Sequence, residues 1–133
     1  MCDRMLYRFV REESKPSHWC NIQHKPYISE HAFYDKLCQI SVYQQKFIHC
    51  IETFKNIPHI NNIAILDSDI IIDSIELSQI IHQPNTDDNK NYEYAHSAIC
   101  SKNKNISKSQ FQRQFNRVLA RIFNDNPQWL KIQ

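Results

Sequence analysis

Between residues 102 and 121 the sequence gathers side chains suited to binding a polyanion: Lys102, Lys104 and Lys108, then Arg113, Arg117 and Arg121. The three arginines recur every fourth residue, the spacing of one helix face. Gln110 and Asn116 fall on the same expected face. The chemistry suggested is nucleic-acid contact. Arginine forks match guanine edges, glutamine and asparagine amides match adenine, and lysines supply point charges for phosphates. Lys102, Lys104 and Lys108 precede or open the expected helix, where free backbone N–H groups and the helix dipole also favour phosphate. Read more plainly, the same residues are the solvated face of an amphipathic helix.

The element that would carry them is well signalled. Ser107 with Gln110 three residues on has the form of a capping box. Phe111, Phe115, Val118, Leu119, Ile122 and Phe123 share the opposite face, so a helix is expected over 107–123. Upstream, Tyr92, Ala95, Ile99 and Cys100 suit a short helix, and 101–105 a basic turn. The segment 92–123 thus reads as helix-turn-helix-like. The string Ile106-Ser107-Lys108-Ser109-Gln110-Phe111-Gln112-Arg113-Gln114-Phe115-Asn116-Arg117-Val118 resembles the second recognition helix of AraC-type regulators, over about a tenth of the chain. The family's turn glycine is missing here, and the turn is longer. The resemblance implies DNA contact by this helix and does not extend to the rest of the sequence.

Other chemistry is poorly supported. His18, Cys20, His24, His31, Cys38, His49, Cys50, His96 and Cys100 could ligate zinc, yet no Cys-x-x-Cys pair occurs. Adjacent His49 and Cys50 would point about 100° apart on a helix, which defeats nucleophile activation. Asp67 and Asp69 read as a helix cap. The chain contains no glycine, which excludes phosphate loops and dinucleotide fingerprints that depend on it. The expectation is a non-enzymatic protein with no metal, no cofactor and no small-molecule substrate. The five cysteines are read as reduced, mostly buried thiols.

The elements that must position this face are expected to be helical. Ser29 looks like a cap, and Phe33, Leu37, Ile40, Phe47, Ile51 and Phe54 predict a helix over 29–55, ended by Pro58. Residues 67–83 favour a helix, with a β-hairpin near 62–72 as the alternative. Residues 4–13 fit helix or strand. Residues 14–28, with Pro16 and Pro26, read as an irregular connector pinned by Trp19, Ile22 and Tyr27. Trp129, Leu130 and Ile132 are expected to fold back onto the last helix. The expected fold is mainly α: one domain, 1–133, of four to five helices.

Charge is unevenly spread. Residues 1–50 carry net +2, residues 51–89 net −6 and residues 90–133 net +6. The basic end supports a small nucleic-acid-binding regulator or subunit. The acidic 51–89 segment supports an alternative, a protein-binding module or inhibitor of a host nucleic-acid machine, anti-CRISPR-like. An abundance of Ile, Asn and Lys points to an AT-rich gene of the kind mobile elements carry. No apolar run approaches membrane-spanning length, and the charged N-terminus lacks a signal-peptide core, so a cytoplasmic protein is expected.

Overall fold

The computed structural model describes residues 4–10, 19–22, 25–35, 37–49, 54, 57 and 62–130, with the side chains of 19–22 and 25–27 excepted. Its centre is a six-stranded antiparallel sheet, not a helical bundle. The strands are β1 (Met5–Val10), β4 (Gln39–Gln44), β5 (Asn62–Asp67), β6 (Ser78–His82), β7 (His96–Ser101) and β8 (Trp129–Leu130), in the order β6-β7-β4-β1-β5-β8. Between β1 and β4, strands β2 (Trp19–Ile22) and β3 (Lys25–Ile28) pair as a separate ribbon. Two helices are described: α1 (Ser68–Ser74) and α2, a continuous run of Lys108–Phe111, Gln112–Asn116 and Arg117–Asp125.

The mainly-α expectation fails for identifiable reasons. Within 29–55, Ile40, Val42 and Gln44 are buried at every second residue, the strand period, while Leu37 is 71% exposed. Of the apolar positions that suggested a helix only Ile40 lies in β4; Val42, outside that series, shares its buried face, and the two β-branched residues suit the strand. A 3-10 turn, Glu30–Phe33, precedes β4 and another, Gln45–Phe47, follows it. In 67–83 only the first half is helical. Asp67 caps α1 by accepting from the Asp69 N–H at 2.9 Å, and the helix ends at Ser74, since Ile75 is already extended with φ −119° and ψ 111°. The turn into β6 then passes through Leu77, whose φ of 61° is left-handed. The 62–72 hairpin is not formed, because β5 pairs with β1 and β8. Residues 92–100 form a 3-10 turn, Tyr92–Ala95, and strand β7, so the helix-turn-helix-like reading fails too. The 14–28 connector contains the β2–β3 ribbon, while 11–18 and the side chains of Trp19, Ile22 and Tyr27 lie outside the described residues. The 4–13 ambiguity resolves as β1.

β5 and β6 run parallel with three strands between them, and α1 is the crossover that joins them. α1 and α2 share one sheet face. There Leu6, Val10, Ile40, Val42, Leu66 and Ile99 meet Ile71 and Ile75 of α1 and Phe111, Phe115, Leu119 and Phe123 of α2. The second face carries aromatics. Phe9 and Tyr43 stack at 4.6 Å, and Phe54 meets Phe9 and Tyr7 edge-on at 5.4 and 5.7 Å.

One charge lies under the helical layer. Arg8, 8% exposed, donates from Nε to the Ala32 carbonyl at 2.9 Å and from Nη1 to the Ser41 carbonyl at 2.8 Å. Nη2 donates to the Tyr34 carbonyl at 3.3 Å, and Nη1 meets Asp35 at 3.2 Å. Burial lowers the guanidinium pKa, and Asp35 opposes that shift. Arg8 thereby ties β1 to β4 and to the 30–35 segment against which α2 packs.

Candidate nucleic-acid interface

α2 is built as its sequence demands at its start. The Gln110 N–H donates to Ser107 Oγ at 3.2 Å, and the Ser107 N–H donates to Gln110 Oε1 at 3.2 Å, completing the capping box. Phe111 and Phe115 stack at 4.4 Å on the sheet side. At the far end, Asn124 is bonded twice to Ile28, donating from Nδ2 to its carbonyl at 2.9 Å and accepting from its N–H at 3.1 Å. Trp129 closes the end edge-on to Phe123 at 4.9 Å, from its place in β8. Ile132 lies outside the described residues.

Of the eight candidate side chains seven are exposed, one of these, Gln110, being engaged in the helix cap, and one is buried. Lys102 and Lys104 are exposed in the β7–α2 turn, and Lys108 is exposed in the first helical turn. Arg113, Arg117 and Arg121 are exposed along α2 at successive rises of about 6 Å. Among the described residues, the strip's one ion pair is Arg117 to Glu30 at 3.8 Å, with the Arg117 side chain 64% exposed. So loose and solvated a pair contributes little and leaves Arg117 available. Gln110 is exposed, but its Oε1 belongs to the cap.

Asn116 is not on this face. It is 2% exposed, and its Nδ2 donates to the Phe33 carbonyl. The cause is local. Gln112–Asn116 is a π-helical stretch, whose wider turn holds one extra residue and places both Phe115 and Asn116 underneath. A uniform 100° per residue assigns Asn116 to the outside and cannot foresee this.

The turn before α2 is well fixed. The Lys102 N–H donates to the Leu77 carbonyl at 2.7 Å, the Asn103 N–H to Ser101 Oγ at 3.0 Å and the Asn105 N–H to Asn103 Oδ1 at 3.1 Å. Beside it, a cleft of about 440 Å³ opens between the α1–β6 turn and α2. Arg113, Gln114, Asn103 and Ser101 line it together with Glu76 and Leu77. This juxtaposition is not legible locally, because residues 76 and 113 are brought to one cleft only by the tertiary fold.

The other sites considered remain dispersed. Among the described residues no three His, Cys, Asp or Glu side chains come together as a metal site. His96 Nδ1 lies 2.8 Å from the Gln83 carbonyl, and Cys100, four residues along the same strand, has its thiol pKa raised by burial. Cys38 and Cys100 are free thiols. His18, His24 and Cys50, and the Cys20 side chain, lie outside the described residues. Among the described residues no helix is long and apolar enough to cross a membrane.

No protein-family model, curated protein or solved structure matches this chain.

Proposed function

We propose that this protein binds nucleic acid without catalysing a reaction on it, through the outer face of α2 and the turn that precedes it. One observation carries the reading. Lys102, Lys104, Lys108, Arg113, Arg117 and Arg121 are all solvent-exposed, and Glu30 is their single ionic partner among the described residues. Cations left unneutralised on a firmly packed helix suit a phosphate backbone, since each phosphate they meet releases condensed counterions.

The contact is made mainly to the backbone. Asn116 is buried and the Oε1 of Gln110 is engaged in the cap, so neither of these two amides offers adenine a free donor and acceptor together. The lysines serve the phosphates near the start of α2. The arginines extend the track along it. Free thiols at Cys38 and Cys100 fit the reducing, cytoplasmic setting where such a partner is met.

A second reading rests on a separate observation. Asp73, Glu76, Asp87 and Asp88 are exposed and have no ion pair among the described residues. This acidic segment would suit a basic protein partner, as in an inhibitor that imitates nucleic acid.

Gel shifts with duplex DNA, single-stranded DNA and RNA at two salt concentrations separate the two. Binding that weakens steeply with salt supports the first reading. Absence of binding to all three at low salt refutes it and leaves the acidic segment as the docking face.

A further inference from the structure

The six-stranded sheet has two unequal edges. β8 is two residues long, whereas β6 runs Ser78–His82 with β7 as its one neighbour among the described residues. Proteins usually blunt a long edge with lysine, proline or a bulge. β6 reads Ser-Gln-Ile-Ile-His and has none of these, and its ladder with β7 is regular from Ser78↔Ser101 to His82↔Ser97. The hydrogen bonds at either end fix which groups face outward. The Gln83 N–H donates to the His96 carbonyl at 2.9 Å, and the Leu77 carbonyl accepts from Lys102 at 2.7 Å. Antiparallel bonding alternates, so Leu77, Gln79, Ile81 and Gln83 bond towards β7, while Ser78, Ile80 and His82 face the open edge. The Ser78 N–H turns back to the Ile75 carbonyl at 3.2 Å. The edge therefore offers the N–H of Ile80 and His82 and the carbonyls of Ser78, Ile80 and His82.

We propose that this edge pairs, antiparallel, with the same strand of a second copy of the chain, on a twofold axis at Ile80. The open groups are self-complementary in that register. Each Ile80 exchanges both bonds with its counterpart, and each His82 N–H meets the Ser78 carbonyl of the other copy, which has no N–H to spare. Charge favours the same occupant. In an isologous contact a strand lies against itself, so charged residues would face their own kind. β6 carries no Asp, Glu, Lys or Arg in a chain that is 23% charged. Apolar surface adds to it. Ile81, 40% exposed, stands opposite Gln79 of the second copy, and Leu77, 54% exposed, flanks the contact. The product is one continuous sheet of twelve strands with both α2 helices on the same face. The contact is short, so the dimer belongs to the weak class. It does not depend on nucleic-acid binding.

Analytical ultracentrifugation of the full chain, from low to several hundred micromolar, tests it with three variants. Gln79→Glu and Ile81→Lys each introduce a charge that faces an uncharged residue and lies diagonal to its own copy. Each is expected to weaken association by roughly five-fold. Together they place opposite charges across both Gln79–Ile81 pairs and restore association to within about two-fold of wild type. Circular dichroism melts confirm that every variant is folded. A wild-type chain that stays monomeric at the highest concentration overturns the proposal, whether or not it accepts an added extended peptide. So do single variants that associate like wild type, or a double variant no stronger than the singles.

Discussion

Arg8→Ala removes a buried charge beneath the helical layer, and its cost follows from the partners left behind. The change strands the Asp35 carboxylate, which among the described residues keeps only the Ser41 N–H at 2.7 Å. Deleting one partner of a buried ion pair costs about 3–5 kcal/mol. The Asp35 side chain is 29% exposed, so water recovers part of that and the lower end applies. The Ala32 carbonyl belongs to a residue with no exposure, and a stranded buried acceptor adds about 1–3 kcal/mol. The Tyr34 and Ser41 carbonyls are part-buried and can turn to solvent. A loss of about 4 kcal/mol is expected, a large share of the 5–15 kcal/mol typical of a domain. In urea this appears as a midpoint lowered by roughly 2 M at an unchanged slope. Arg8→Lys should recover only part of the loss, because one ammonium cannot reproduce the fork that meets three carbonyls and Asp35. A loss below about 1 kcal/mol for Arg8→Ala would refute the view that this residue ties β1, β4 and the 30–35 segment together.

Three further outcomes are expected. Phe115→Ala should cost about 3–5 kcal/mol in denaturant unfolding, since Phe115 is fully buried and stacked on Phe111; a loss under about 1 kcal/mol would remove it from the core. Asn124→Ala should cost about 1–3 kcal/mol and speed hydrogen exchange at the Ile28 amide, because both Ile28 backbone groups lose their partner; unchanged exchange would contradict that tie. Stability should also fall at alkaline pH. Burial and neighbouring carboxylates raise the phenol pKa of Tyr34, Tyr43 and Tyr92, so the unfolded chain ionises first. The contribution is full below about pH 10 and is lost as pH rises towards the folded-state values. Tyr43→Phe should flatten that limb in urea midpoints taken from neutral to alkaline pH, and an unaltered limb would exclude Tyr43 as a main source.

What the sequence disclosed was the part decided locally. Ser107, Gln110 and the apolar stripe of α2 are set by neighbours within one or two turns, and that helix forms with its predicted cap. The exposure of Lys108, Arg113, Arg117 and Arg121 follows from the same stripe. The sheet was hidden because its strands satisfy their backbone groups through distant partners. β1 pairs with β4 and β5, and nothing local in Met5–Val10 announces either. Segment 39–44 shows this most clearly: Ile40 fits the helical series drawn through its distant neighbours, but the strand alternation runs Ile40, Val42, Gln44, and tertiary pairing decides. Asn116 was misplaced by the π-helical stretch, a local departure with no marker in the residues themselves. Nothing local marks Arg8 for burial, since its carbonyl partners are 24 to 33 residues away.

The central claim, that the α2 strip meets a phosphate backbone, is tested most directly by the salt dependence of binding. Affinity for duplex DNA is measured by anisotropy from low to moderate salt for wild type, for Lys102, Lys104 and Lys108 replaced together by alanine, and for Arg113, Arg117 and Arg121 replaced together. With up to six phosphates neutralised, the wild-type slope of log K against log salt should approach about −5. Each triple variant should lower its magnitude by about three units while the unfolding midpoint stays close to wild type. Slopes that remain parallel to wild type in both variants would contradict the claim and move the contact away from α2.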